Sequence, residues 1–523
     1  MWMRARRRIG KRRIDGASGT HSAGPLGGPA PTTRASCPPP PPPPRPRGGA
    51  GPDDARIMPF NSPVFLFLFI PLVIALNAAL PAGWRNAFLV VASIFFYAWG
   101  EPVFALVAIA SSLIDMVFAE AIVRSRQPRL RKLWLTLGVS TNLGLLIYCK
   151  YTGFLFDNLH ALLVTMDVPR PEVILPLGIS FIVFEKITYL VDVYRGVCGT
   201  ARSIRDYLLF VFLFPKLLAG PILKFHEMKG QIEHHRLTLN DVEEGAFRFL
   251  QGLAKKVLIA DQVAVLADQI FAMPTNELGF ATAWLGALAF TVQIYFDFSG
   301  YTDMAIGLAR MLGFRLRENF NQPYLAVGFA DFWRRWHISL STFIRDYLYV
   351  PLGGNRVPPW RVYLNLWICF LASGLWHGAS WTFVIWGAFH GLFVSADHFG
   401  MKRVWPLLPR VAGIAITFLL VVVGWVLFRS VSLAQAGGFL AAMASPWTDG
   451  TAPLPRLQLD TALCLAAGLV LSFLPLGPMQ HLGRRVLARA LPVAQQLVML
   501  CFAIWAFGRV FTETFKPFIY FRF

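Results

Sequence analysis

From residue 58 onward the chain is built of long apolar runs separated by short polar loops. Val64–Leu80, Ala87–Ala119, Leu133–Ile147, Ala281–Phe296, Val411–Phe428 and Leu457–Leu474 carry almost no charge. An α-helix of about 20 apolar residues crosses the roughly 30 Å of bilayer hydrocarbon. Counted generously, such runs occur about ten or eleven times, with Ala87–Trp99 and Val103–Val123 as separate segments of one stretch. The pattern predicts an all-α polytopic membrane protein in which polar interruptions form re-entrant or interfacial helices.

Composition agrees. Of 523 residues, 55% are hydrophobic and 15% charged, against about 25% charged in soluble domains. The formal net charge is +20. Its basic residues cluster in loops between apolar runs, as in Arg124-Ser-Arg-Gln-Pro-Arg-Leu-Arg-Lys132. That is the habit of cytoplasmic loops rather than of a nucleic-acid surface. The six cysteines are scattered with no metal-ligand spacing, so neither a metal site nor a disulfide framework is expected.

Residues 1–57 differ from the rest: a basic start, a Gly/Ser/Thr/Ala stretch, then Cys37 followed by seven prolines. Such a segment buries no core and is expected to be a disordered tail. Three apolar segments separate it from the basic loop at Arg124–Lys132, which places two strongly basic regions on opposite sides of the membrane. The conflict disappears if translation starts at Met58. The expected organisation is therefore a tail over 1–57, a product of an over-long reading frame, and one transmembrane domain over 58–523.

Four polar stretches interrupt the apolar background. Asp331–Arg356 (DFWRRWHISLSTFIRDYLYVPLGGNR) mixes four arginines and two aspartates with tryptophan, tyrosine and His337. At helical spacing, Trp333, His337 and Ser341 would share a face. Arginines among aromatics suit first an interfacial helix facing anionic lipid headgroups, and also the phosphates of a donor such as coenzyme A. Tyr295–Met304 holds Asp297 and Asp303 around Ser299 and Gly300 and reads as a helix break that is buried in protein or lines a cavity, with substrate-binding and structural roles both open. Adjacent Glu185 and Lys186 point to partners on other helices. Phe214–Ile222, with two prolines and a glycine, is a poor continuous helix. The histidines of KFHEMKGQIEHHR (His226, His234, His235) read as a solvated loop.

Between Arg361 and Asp397 there is no charged residue, and His377 lies near the middle of that span, in GLWHGASW. Gly374 and Gly378 loosen the helix around it, and Trp376 and Trp381 would exclude water. A neutral imidazole is the form a general base needs. The residues alone leave a structural and a catalytic role open. No G-x-S-x-G elbow, Walker A loop or H-E-x-x-H pair offers other chemistry.

Taken together, LPLGISF (175–181), YLVDVYRG (189–196), FPKLLAGPI (214–222), YFDFSGYTDMAIGLARMLGF (295–314), ENFNQPYLA (318–326), DFWRRWHISLSTFIRDYLYVPLGGNR (331–356), GLWHGASWTFVIWGAFHG (374–391) and the closing FIYFRF resemble the membrane-bound O-acyltransferases, specifically the membrane subunits of bacterial alginate O-acetyltransferases. Glu185-Lys186 and Arg522 depart from that pattern. The resemblance implies that His377 is the buried catalytic histidine and His337 a second one near the cytoplasmic mouth of a tunnel. Arg334, Arg335, Trp336, Trp376, Asn319, Asp297 and Arg345 are expected to line the substrate and donor path, with no metal. It further implies acetyl-CoA as donor and an exported polysaccharide as acceptor, alginate first and cellulose or peptidoglycan as alternatives. A periplasmic acetyl-transferring partner protein, export machinery, membrane lipids and an inner-membrane location belong to the same expectation. The competing reading is a non-catalytic polysaccharide-precursor transporter with Asp297, Asp303 and His377 along its path.

Overall fold

The structure, a computed structural model, describes residues 58–162, 169–447, 450–474, 501, 503–511 and 518–519. The expected tail over 1–57, the proposed start apart from Met58 itself, and Arg522 lie outside them. Among the described residues every regular element is helical.

A π-helical turn at Phe65–Phe69 leads into α1 (Ile70–Ala79), followed by α2 (Ala82–Gly100), α3 (Pro102–Arg124) and α4 (Pro128–Leu162). Prolines at the first position of α3 and α4 supply the helical φ where no N–H partner is needed. Glu101 and Pro102 divide the run Ala87–Ala119 into α2 and α3. α3 exposes Val103, Leu106 and Val117 while burying Ser112 and Asp115. Apolar outside and polar inside is the reverse of a soluble helix and suits a hydrocarbon solvent. With α17 (below), α3 is one of two helices among the described residues that are long and uniformly apolar enough to cross a membrane by composition alone.

α5 (Ile179–Arg195) is bounded by Gly178 and Gly196, both at positive φ. α6 (Ile204–Phe212) starts at Ser203, whose hydroxyl accepts from the Asp206 N–H, a standard N-cap. The Pro/Gly-interrupted stretch forms only one short turn, α7 (Phe214–Leu217), and stays buried through Phe225. The polar segment expected as a loop is largely helix α8 (Phe225–Glu233). There, His226 Nδ1 lies 2.7 Å from Asp192 and His235 Nε2 lies 2.6 Å from the Leu312 carbonyl.

α9 (Leu239–Ala254) and α10 (Asp261–Phe271) flank α11 (Phe280–Met311). The helix break expected at Tyr295–Met304 is absent: α11 runs unbroken through it. At Gly300 α9 comes very close. A Cβ on Gly300 would meet the Gly252 carbonyl at 2.8 Å, and one on Gly252 would meet the Gly300 carbonyl at 2.4 Å.

α12 (Phe329–Arg335) and α13 (Ile338–Ile344) follow, then a π-helical turn Arg345–Tyr349, α14 (Pro359–His377) and α15 (Trp381–Ala396). The chain continues through a short α16 (Lys402–Val404) to α17 (Arg410–Arg429), α18 (Leu433–Ala444) and α19 (Leu459–Phe473). α14 and α15 cross almost backbone to backbone. A Cβ on Gly374 would sit 2.3 Å from the Phe383 carbonyl, and one on Gly387 would sit 2.4 Å from the Phe370 carbonyl. Small residues at helix crossings of this kind carry membrane-protein packing.

Candidate active site

The α14–α15 crossing sets His377 against an aromatic wall. His377 is the last residue of α14, not a mid-helix residue as the uninterrupted apolar run suggests. The glycines beside it admit α15, not a ligand. Its ring meets Trp376 (centroids 4.9 Å apart), Trp386 (4.8 Å) and Phe428 (5.6 Å), and the residue is 4% exposed. Nδ1 lies 2.7 Å from the Ser373 carbonyl. A carbonyl only accepts, so Nδ1 carries the hydrogen and, in the neutral ring, Nε2 carries the lone pair.

His337 occupies the break between α12 and α13. The expected shared helical face with Trp333 and Ser341 is lost because His337 sits at φ 44°, a left-handed conformation that non-glycine residues seldom adopt. The segment before α12 holds this turn in place. Asn321 N–H donates to the Arg335 carbonyl (2.9 Å) and Ile338 N–H to the Asn319 carbonyl (2.9 Å). The Asn319 side chain accepts from Ser339 N–H (3.0 Å) and lies 3.2 Å from His337 Nδ1. The backbone donor fixes that atom as the amide oxygen, so Nδ1 of His337 also donates. Both histidines therefore present the same tautomer. Trp376 stands between them, 6.0 Å from the His337 ring and 4.9 Å from His377.

A third histidine, His390, escaped the sequence reading. Trp333 Nε1, which can only donate, lies 3.2 Å from His390 Nδ1. A neutral His390 thus carries its hydrogen on Nε2, the opposite tautomer. Its ring packs 4.6 Å from Trp386, which also touches His377. Among the described residues, His390 Nε2 and the indole nitrogens of Trp376 and Trp386 are buried without hydrogen-bond partners. A legible signal existed: Trp386 and His390 stand four apart in FVIWGAFHG, on one helix face.

The other expected residues separate into groups. Trp336 is buried in the aromatic core against Phe332 and Trp425. Asp297 lies on α11, where Lys256 pairs with it at 2.6 Å and Ile519 N–H donates to it at 2.7 Å. Asp303 is likewise held by Lys255 (2.6 Å) and Arg248 (2.8 Å). Arg334 and Arg335 pair with Asp331, Arg334 at 3.7 Å with most of its side chain exposed. Arg345 binds Asp346 at 2.7 Å. Lys224 also reaches Asp346, and Arg195 donates to its carbonyl at 3.1 Å. Three cations thus gather around Asp346, Arg345 and Lys224 on its carboxylate and Arg195 on its backbone carbonyl, two of them from elements far away in sequence. Among the described residues no group of histidine, cysteine and carboxylates is arranged to hold a metal. A cleft of about 280 Å³ lined by Glu227, Gln231, Arg315 and Arg317 shares no residue with the histidine cluster.

Against known proteins, residues 177–433 match the family model of the MBOAT, membrane-bound O-acyltransferase family. A probable alginate O-acetylase, AlgI, of Azotobacter vinelandii is 47% identical over 418 residues, covering 78% of this chain and 83% of that one. Its counterpart in Pseudomonas putida is 42% identical over 89% of this chain and 100% of its own. A peptidoglycan O-acetyltransferase of Helicobacter pylori is 38% identical over 74% and 80%. The chain belongs to the membrane-bound O-acyltransferase family and is an O-acyltransferase.

Proposed function

We propose that this protein crosses the bacterial inner membrane about ten or eleven times and passes acetyl groups from cytoplasmic acetyl-CoA toward hydroxyls of an exported polysaccharide, alginate. The names carried by its relatives at 42–47% identity support that substrate. The observation that carries the mechanism is the bond from His377 Nδ1–H to the Ser373 carbonyl inside a cage of aromatic rings.

With Nδ1 so engaged, Nε2 takes the proton from the acceptor hydroxyl as its oxygen attacks the thioester carbonyl. A C–O bond forms, and the carbonyl electrons move onto oxygen. When the tetrahedral intermediate collapses, the C–S bond breaks and the leaving sulfur takes the proton from His377, giving an ester, free coenzyme A and the neutral imidazole. The buried indole N–H groups of Trp376 and Trp386 are the candidates to bind the transient oxyanion. His337, held by Asn319, orients the incoming acyl chain. The aromatic wall keeps water from the thioester. Arg334, Arg335 and the cations around Asp346 are the candidate contacts for donor phosphates. A periplasmic acetyl-transferring protein and the export machinery complete the route.

The transporter alternative needs accessible carboxylates. Asp297 and Asp303 are instead locked by lysine and arginine. Deleting the gene in its host should leave polymer export intact and remove its O-acetyl groups, as read by NMR of the exported polymer. Loss of export with acetylation of the residual polymer unchanged would overturn the proposal.

A further inference from the structure

A helix leaves its last four carbonyls without intrahelical partners, and α14 ends on the proposed base. Its ending can be accounted for atom by atom. Gly378 N–H donates to the Gly374 carbonyl at 3.3 Å. Tyr151 OH donates to the Leu375 carbonyl at 2.7 Å. Lys150 Nζ donates to both remaining carbonyls, Trp376 at 2.5 Å and His377 at 3.2 Å. Both side chains come from adjacent positions on α4, more than 220 residues away in sequence.

Nothing in α4 itself explains the lysine. It stands three residues after the apolar run Leu133–Ile147, where an ammonium is costly unless it is bound. Its ammonium also lies 5.9 Å from the Trp376 ring. A cation at the negative end of a helix, bonded to the last two carbonyls, fixes the chain where the helix stops. The same terminal turn sets the bond from His377 Nδ1–H to Ser373 O. Moving the turn moves the base.

We propose that Lys150 is a positioning residue for acyl transfer: with Tyr151 it clamps the end of α14 and holds His377 and Trp376 in register with the acyl group. This rests on the reading of His377 as the base. Lys150 touches neither donor nor acceptor and acts through the carbonyls of the two residues that do.

The test uses the full-length protein in lipid nanodiscs, with release of free coenzyme A from acetyl-CoA followed in the presence of alginate oligosaccharides. Lys150→Met keeps the length of the stem and removes the donors. It should lower kcat about 10- to 100-fold, the order expected for a misplacement of about 1 Å, with KM for acetyl-CoA unchanged. Lys150→Arg should recover most of the rate. Tyr151→Phe, which frees one carbonyl, should lose less. On a His377→Ala background, Lys150→Met should cost nothing further. Hydrogen exchange by mass spectrometry should show faster exchange confined to residues around 374–380 in Lys150→Met.

Wild-type kcat in Lys150→Met, or a full further loss on the His377→Ala background, would overturn the clamp. If Lys150→Met does not fold, wild-type kcat in Tyr151→Phe together with no recovery in Lys150→Arg would overturn it as well. An active His377→Ala protein would instead refute the base assignment, so the two failures are distinguishable.

Discussion

Buried polarity takes two forms in this chain. Through α3, α5, α7 and the α9–α11 region the interior holds full charges, and each is answered. Lys186 meets Asp115 at 3.2 Å, Lys216 meets Glu185, and Lys256 meets Asp261 (2.7 Å) and Asp297 (2.6 Å). Around the end of α14 the interior holds imidazoles and indoles, and several of their N–H groups lack a partner among the described residues. Paired charges fix helices relative to one another. Neutral rings with spare donors are costly for folding alone and suit a site that meets a carbonyl or hydroxyl only in passing. Among the described residues these buried charges are paired, whereas several ring donors clustered around His377 are not.

The comparison is broken most severely by removing one partner of a buried pair. Lys216→Met leaves Glu185 buried and uncompensated, which should cost about 3–5 kcal/mol. Thermal unfolding of the detergent-solubilised protein should show it, with protein yield falling in parallel. Adding Glu185→Leu to that variant should restore most of the stability. A fully stable single variant would mean the charges are not what holds α5 to the Phe214–Ile222 segment.

Changes on the other side should cost rate and little stability. Asn319→Ala removes the amide oxygen shared by His337 and Ser339 N–H. Acetyl transfer should fall by about 10- to 100-fold while the melting temperature drops only by the loss of about two hydrogen bonds. Equal losses in stability and activity would place His337 with the structural residues.

How much of this was legible beforehand depends on what each residue's role is set by. Membrane character, the long apolar helices and the interruption at Phe214–Ile222 follow from the chain's own composition and were readable; the helix α8 in the polar KFHEMKGQIEHHR segment was not. So was the prominence of His337 and His377. The partners of Glu185 and Lys186 were predicted to lie on other helices, and they do, but not which helices. The misreadings came from packing between distant segments. Ser299 and Gly300 read as a break because hydroxyls and glycine usually loosen a helix. Here Gly300 lets α9 approach an unbroken one. The spacing of Trp333, His337 and Ser341 read as one helix face because the left-handed turn at His337 is imposed from outside, by residues 319–321. For His390 the four-residue spacing from Trp386 was legible, but nothing in FVIWGAFHG shows that Trp333 will bond its Nδ1. Lys150 passed unnoticed for the same reason.

The smallest expected effect is at the surface. Arg345→Ala removes one of three cations around Asp346, a partly exposed cluster. KM for acetyl-CoA should rise a few-fold, with kcat unchanged and the effect shrinking as salt is raised. An unchanged KM at low ionic strength would move the donor's phosphates elsewhere, with Arg334 and Arg335 as the next pair to test.

The central claim is that His377 is the base in a dry aromatic cage, and it is tested most directly by one rate. Purified His377→Ala protein, reconstituted in nanodiscs and shown to melt near the wild-type temperature, should release coenzyme A from acetyl-CoA with acceptor present at least about 100-fold more slowly than wild type. A folded His377→Ala protein that turns over at the wild-type rate would contradict the account.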